Sequence, residues 1–278
     1  MFNILRPINL LLLLAVQFTL WFRLCVPNVV EAKLMEFILI CISVICTAAA
    51  AYIINDIVDI ATDKINKPQK VYIKNYASKK KAFIAYFMLN AAAITAAIFV
   101  FDLFIIIITI SSIALLYLYS SKLKQTIFWG NLTIALLSAL PVLELYIFFR
   151  PSNADNEFLA YALFALLTTL LREIVKDRED SEGDLKSGIK TLANSISENK
   201  LKIVLYAVNG SLTICLVCFL FFIKDINISS FLLYMVTMIL PALLIFVLIY
   251  KLKNNFTYSR LSLSIKIYMF LGLIRLWI

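Results

Sequence analysis

Six of the nine aspartates in the 278-residue sequence fall into two groups that share one spacing. Asp56, Asp59 and Asp63 form the first group, preceded by Asn55, and Asp177, Asp180 and Asp184 form the second. On a helix, the spacing i, i+3, i+7 confines three side chains to an arc of about 60°. Each group therefore presents three carboxylates in one direction, while Glu179 and Glu182 fall on other faces and read as solvated. Carboxylate oxygens are hard donors that suit Mg²⁺, which is commonly held by one or two carboxylates together with substrate phosphates. Lysines interleave with the acids: Lys64, Lys67 and Lys70 after the first group, Lys122 and Lys124 between the groups, Lys186 and Lys190 after the second. Metal-binding carboxylates beside ammonium groups suit a diphosphate, whose negative charge both kinds of cation offset. Taken singly, a lysine here is a topology signal and a triplet is a solvated helix end. The matched pair is what points to a site.

Several other chemistries are excluded. The chain has no histidine, which removes imidazole bases, imidazole zinc sites and haem ligation. Its five cysteines all lie in apolar runs, and the Cys215-x-x-Cys218 pair reads as packing rather than redox chemistry.

The elements that must carry these acids are membrane helices. The chain is 63% hydrophobic and only 15% charged, against about 25% charged in an ordinary soluble domain. A membrane helix needs about 20 mostly apolar residues. Nine such runs appear, at approximately 8–26, 35–57, 83–101, 103–119, 127–149, 157–175, 203–223, 230–250 and 261–277, the last carrying Lys266 and Arg275. The expected fold is therefore all-α and multi-pass, with nine transmembrane helices. The first run contains Arg23 and lacks a small-residue cleavage site, so it reads as a retained helix.

Lys and Arg are distributed 19 to 3 between the even-numbered loops and the odd-numbered ones. The positive-inside rule then places the even loops and the N-terminus in the cytoplasm, with the chain in the cell membrane. The net charge of +9 is accounted for by this bias, so no nucleic-acid partner is expected. Asp56 and Asp177 are 121 positions and four spans apart, which puts both acidic groups on the cytoplasmic side. The chain thus reads as one membrane-embedded domain, 1–278, of two pseudo-repeated four-helix units plus one helix, with halves at about 1–126 and 127–278. Sites near the interface of two related halves are a recurrent arrangement. Acids at a membrane-helix boundary are costly and functional by default.

These residues resemble the UbiA superfamily of intramembrane prenyltransferases, whose marks are N-D-x-x-D-x-x-x-D on the second helix and D-x-x-D-x-x-x-D on the sixth. Shorter elements agree: Arg6-Pro7-Ile8-Asn9, Asn66-Lys67-Pro68, Tyr119-Ser120-x-x-Leu123-Lys124 and Gly130-Asn131. The stretch Arg172-Glu173-Ile174-x-Lys176-Asp177-x-Glu179-Asp180-x-Glu182-Gly183-Asp184, followed by Gly188-Ile189-Lys190-Thr191-Leu192, is most similar to the ether-lipid branch, the digeranylgeranylglyceryl phosphate synthases. Ala193 stands where that branch usually has Pro.

The resemblance implies a Mg²⁺-dependent transfer of a prenyl group, geranylgeranyl in that branch, from an isoprenoid diphosphate to a lipophilic acceptor within the bilayer. It implies that Asp56, Asp59, Asp63, Asp177, Asp180 and Asp184 hold the metal. Arg6, Asn9, Lys67, Lys70, Lys124 and Lys190 would bind the diphosphate, with Asn55, Asp59, Tyr119, Lys124, Asp180 and Asp184 in catalytic positions. Tyr119 is the ring nominated to face an allylic cation. Aromatic acceptors are used elsewhere in the superfamily. Two other classes use similar parts. An ion transporter would show Gly and Pro breaks within its spans, and only 5 Gly occur. A CDP-alcohol phosphotransferase would carry D-G-x-x-A-R, and no Asp-Gly dipeptide is present.

Overall fold

The computed structural model describes residues 2–29, 33–60, 64, 78–186, 188–222, 227–253 and 255–277. All regular structure among them is helical. Where no water reaches the backbone, a helix is the element that satisfies its own N–H and C=O groups, and long apolar runs fold accordingly. We number the long helices α1 (Pro7–Asn28), α2 (Leu34–Val58), α3 (Lys79–Phe99), α4 (Leu103–Ser121), α5 (Trp129–Phe149), α6 (Asp155–Glu179), α7 (Glu198–Leu220), α8 (Ile228–Tyr250) and α9 (Asn255–Arg275). Two short helices, Ser181–Lys186 and Leu192–Ser195, lie between α6 and α7.

The first eight are long and apolar enough to cross a bilayer, so the chain is a multi-pass integral membrane protein. The ninth expected run appears as α9, which has 21 residues but starts at Asn255, ahead of Arg260 and Lys266. Large apolar side chains are widely exposed, as at Phe101 and Phe221, both 85% exposed. In a bilayer this is the lipid-facing surface, since the tails are as apolar as the side chains.

Apolar burial alone does not hold such helices together, and polar ties cross between them. Ser43 of α2 and Thr109 of α4 share a hydrogen bond of 3.0 Å, and Ser138 of α5 donates to the Ala165 carbonyl of α6 at 3.0 Å. In the second half, Asn209 donates to Ala242 O at 3.0 Å and Tyr268 to Met238 O at 2.7 Å. The apolar core divides correspondingly: one cluster lies among α6 to α9, and another joins α1 to α6 around Leu20, Ile40 and Leu145. The five cysteines are all free.

The turn between α3 and α4 shows why a single polar residue suffices to separate two spans. Phe101 adopts the left-handed conformation (φ 56°), and the Asp102 carboxylate then accepts from Phe104 N at 2.8 Å and Ile105 N at 3.2 Å. This cap satisfies two otherwise orphaned amides at the start of α4. Replacing an N-cap of this kind with alanine costs about 1 kcal/mol. Asp102→Ala is therefore expected to lower the melting temperature of the detergent-solubilised chain, while Asp102→Asn retains most of it; equal loss in both would show that charge, not capping, matters.

Candidate functional site

The ends of five helices meet at one end of the bundle: the start of α1, the end of α2, the end of α4, the start of α5 and the end of α6. The first acidic group sits where α2 runs out. Asp56 and Asp59 are buried at 7% and 5% exposure. Buried carboxylates need a cation or hydrogen bonds, and each has a cation from a different element. Arg6 Nη2 lies 2.8 Å from Asp56 Oδ1, and Lys124 Nζ is ion-paired with Asp59 Oδ2.

Local geometry aims both cations. Arg6 takes a left-handed conformation (φ 49°, ψ 59°) ahead of Pro7, which opens α1, and its guanidinium stacks 4.8 Å from the Tyr52 ring, one turn before Asp56. Lys124 sits in a tight turn, Leu123–Gln125, that folds back onto the start of α5. A side chain at Gly130 would bring its Cβ to 2.8 Å from Leu123 O and 3.1 Å from Lys124 Cα, so this close approach requires glycine.

The second group sits where α6 runs out. Asp177 Oδ2 accepts from Asn131 Nδ2 at 2.8 Å. One turn deeper, Glu173 is buried and pairs with Arg172 at 2.8 Å and Lys176 at 3.8 Å. The sequence reading places Asp177, Asp180 and Asp184 on one continuous helix, and here the structure differs. α6 ends at Glu179, Asp180 caps it (φ −89°, ψ 0°), and Asp184 lies on the separate short helix. Helical hydrogen bonds still bridge the interruption, from Asp180 N to Lys176 O and Asp184 N to Asp180 O, so the three acids keep a shared direction. Asp59, the middle member of the first group, caps α2 in the same way (φ −82°, ψ 2°). Both middle aspartates thus occupy the sparsely populated bridge region, where many active-site residues sit.

The two groups face one another. Burial pushes the Asp184 carboxyl up to about 6, and Asp180 and Asp59 add repulsion, while Lys124 and Lys176 oppose the rise. Lys124, bonded to Asp59, therefore also acts on Asp184 across the gap. Tyr119, half-buried at the end of α4, is within electrostatic reach of Asp59, Asp177, Glu173 and Arg6. Glu182 instead points outward, 2.6 Å from Lys186, and that lysine holds its carboxyl below the usual range, as a solvated residue should be.

Of the residues expected from sequence, Arg6, Asp56, Asp59, Tyr119, Lys124, Asp177 and Asp184 are brought together. Asp180 is half-buried at the junction, and Asn55 is half-buried beside Asp56. Asn9 and Lys190 are exposed, and the structure does not bring them into contact with the acids. Asp63, Lys67 and Lys70 lie outside the described residues. Two members were not singled out from sequence. Glu173 stands four residues before Asp177 and so extends the acidic face by a turn. Asn131 was visible only as part of a motif. Only the Glu173 signal lies in the spacing.

The donor set is oxygen-only, which suits a hard cation such as Mg²⁺. Among the described residues no three acidic groups close on one point, and Asn55 Oδ1 is buried with no partner among them. A few carboxylates with room left for other oxygen ligands is the pattern by which Mg²⁺ is bound together with phosphate.

Comparison with known proteins follows this geometry. The UbiA prenyltransferase family model matches residues 15–274. The chain belongs to the UbiA prenyltransferase family. Among curated UbiA relatives, the digeranylgeranylglyceryl phosphate synthase of Saccharolobus solfataricus is 36% identical over 153 residues, 55% of this chain and 54% of that protein. The synthase of Methanobrevibacter smithii is 37% identical over 161 residues, 56% of this chain and 57% of that one. The matched segments span little more than half of these relatives. A solved structure concerning digeranylgeranylglyceryl phosphate synthase in membranes superposes with a TM-score of 0.77 at 25% identity, covering 98% of this chain and 94% of that one. A UbiA homologue from Archaeoglobus fulgidus bound to GPP and Mg²⁺ has the same fold, with a TM-score of 0.66, 17% identity and coverage of 99% and 98%.

Gly130→Ala forces backbone apart at the Lys124 turn, and overpacking of this kind costs about 1 to 3 kcal/mol. Gly210→Ala in α7 meets nothing closer than 4.0 Å, at Phe246 Cζ, and is expected to be neutral or to stabilise by up to about 1 kcal/mol. Thermal unfolding in detergent should separate the two variants; equal melting would remove the close-approach argument.

Proposed function

We propose that this chain is a Mg²⁺-dependent prenyltransferase that moves a geranylgeranyl group from its diphosphate to the hydroxyl of geranylgeranylglyceryl phosphate. The observation that carries the reading is the convergence of two acidic groups at one end of the bundle, the first paired with Arg6 and Lys124 from other elements and the second within electrostatic reach of the same Lys124. The naming of the curated relatives supports the donor and acceptor.

In this reading Asp56, Asp59, Asp63, Asp177, Asp180 and Asp184 hold Mg²⁺, which when bound supplies Lewis-acid neutralisation of the diphosphate. Arg6 and Lys124 are placed to turn from the carboxylates toward phosphate oxygens, where guanidinium and ammonium groups both bind well. Lys67, Lys70, Lys190 and Asn9 are further diphosphate-binding residues in this reading, Lys190 and Asn9 from exposed positions. Asn55 offers its unpartnered amide oxygen next to Asp56. Tyr119, within electrostatic reach of both acidic groups, is the ring that would stabilise a cation developing on the allylic carbon. The apolar helices exclude water and take the isoprenoid tail. The two middle aspartates that cap their helices alike support two pseudo-repeated halves, 1–126 and 127–278, each supplying one acidic group. The lysine-rich loops at this end support a cytoplasmic active site in the cell membrane.

Transfer of labelled geranylgeranyl diphosphate by the purified chain tests the reading. Excess EDTA should abolish product, and Asp59→Ala or Asp180→Ala should lower the rate by about 10² or more. Retention of full activity in either condition would overturn it. Offering an aromatic hydroxy acid in competition separates the ether-lipid acceptor from an aromatic one.

Asp184 adds a pH dependence whose sign is fixed. Its raised value means that the folded chain without metal holds this proton more tightly than the unfolded chain does, so it contributes stability that is fully present below the unfolded value and is lost as pH rises through about 6. Metal binding must expel that proton. The apparent Mg²⁺ affinity, read as a thermal shift, should therefore fall as pH drops below about 6; an affinity that stays flat across that value would contradict a metal-binding role for Asp184.

A further inference from the structure

Glu173 is a charged side chain where a solvated helix end cannot explain it. It is 8% exposed, on a membrane-spanning helix, with cations on both sides. Ionisable residues in such positions are costly and rarely idle. It also lies within electrostatic reach of Lys124, Arg6 and the Tyr119 hydroxyl, all on facing elements. Its carboxylate is thus at the wall of the same site, but no metal or diphosphate contact has been assigned to it.

Its depth sets it apart from the aspartates. Glu173 is four residues before Asp177, about 6 Å nearer the hydrocarbon and about 40° around the helix. An isoprenoid diphosphate held head-out by the aspartates and tail-in among the helices has its first allylic carbon just below the phosphates. That is the level of Glu173.

We propose that Glu173 receives the proton lost when an acceptor hydroxyl is alkylated. This rests on the transferase reading above and adds the residue that completes it. The bond between the allylic carbon and its phosphate oxygen breaks, and its electron pair leaves with the diphosphate. A lone pair of the acceptor oxygen forms the new C–O bond. The O–H electron pair stays on that oxygen, and the proton passes to a Glu173 carboxylate oxygen, giving an ether and a neutral carboxyl. An alkylated hydroxyl is strongly acidic until it loses this proton, so a carboxylate whose charge is already balanced by Arg172 and Lys176 is basic enough. The aspartates serve less well, because the charge of the metal and the diphosphate falls on them.

The test uses the full chain in detergent with Mg²⁺, geranylgeranyl diphosphate and geranylgeranylglyceryl phosphate, and counts two products: the ether and the prenol formed when water captures the cation. A positioned base contributes about 10² or more to its own step. Glu173→Gln should therefore lower the ratio of ether to prenol at least about tenfold with little change in donor KM, and Glu173→Asp should restore part of it. An unchanged ratio, whether both products persist or both fall together, would overturn the proposal and leave Glu173 a structural ion-pair partner. A wild-type chain that yields prenol but no ether would instead sink the ether-lipid reading, and the role of Glu173 with it.

Discussion

A carboxylate at the edge of the hydrocarbon must have a cation beside it, and this requirement organises the molecule. Removing one partner of a buried pair is far more damaging than replacing both, and the two buried acids at the end of α2 each commit a basic residue from elsewhere in the chain. Asp56 draws in Arg6, 50 residues away, and Asp59 draws in Lys124, 65 residues away. Glu173 finds its balance locally, in Arg172 and Lys176. The ends of α1, α2, α4, α5 and α6 are held together by these few contacts, in a protein whose remaining surface is suited to lipid.

The backbone accepts unusual conformations to serve the same end. Arg6 is left-handed, Asp59 and Asp180 sit near ψ 0°, and the start of α5 is glycine so that the Lys124 turn can press against it. Strain of this kind persists where surroundings over-determine it, and it tends to cluster at sites that act. That the two middle aspartates share one backbone conformation ties the two acidic groups together more closely than their sequence spacing does.

Much of this was legible in the sequence. Of the nine apolar runs, eight correspond to helices long and apolar enough to span among the described residues, because length and composition alone decide whether a helix can cross a bilayer. The aspartate spacing gave the acidic faces because helical periodicity is local. The break at Asp180 was not legible, since an i+7 spacing reads the same through an interruption that its hydrogen bonds bridge. Nor was the pairing of Arg6 with Asp56, which depends on how α1 packs on α2. Asn9 and Lys190 carry the right chemistry, but the structure leaves both exposed. Glu173 falls outside the repeated i, i+3, i+7 spacing, although four residues before Asp177 is the same helix face. α9 starts earlier than its apolar run, at Asn255, because a helix continues through polar residues that an apolar-run reading leaves out.

The central claim is that both acidic groups act on one diphosphate. Phosphorus hyperfine coupling to Mn²⁺, bound in place of Mg²⁺ with a non-transferable thio-analogue of the donor, measures this directly in the full chain. The account predicts coupling in the wild type that disappears in Asp59→Asn and, separately, in Asp184→Asn. Coupling that survives neutralisation of either group would contradict it.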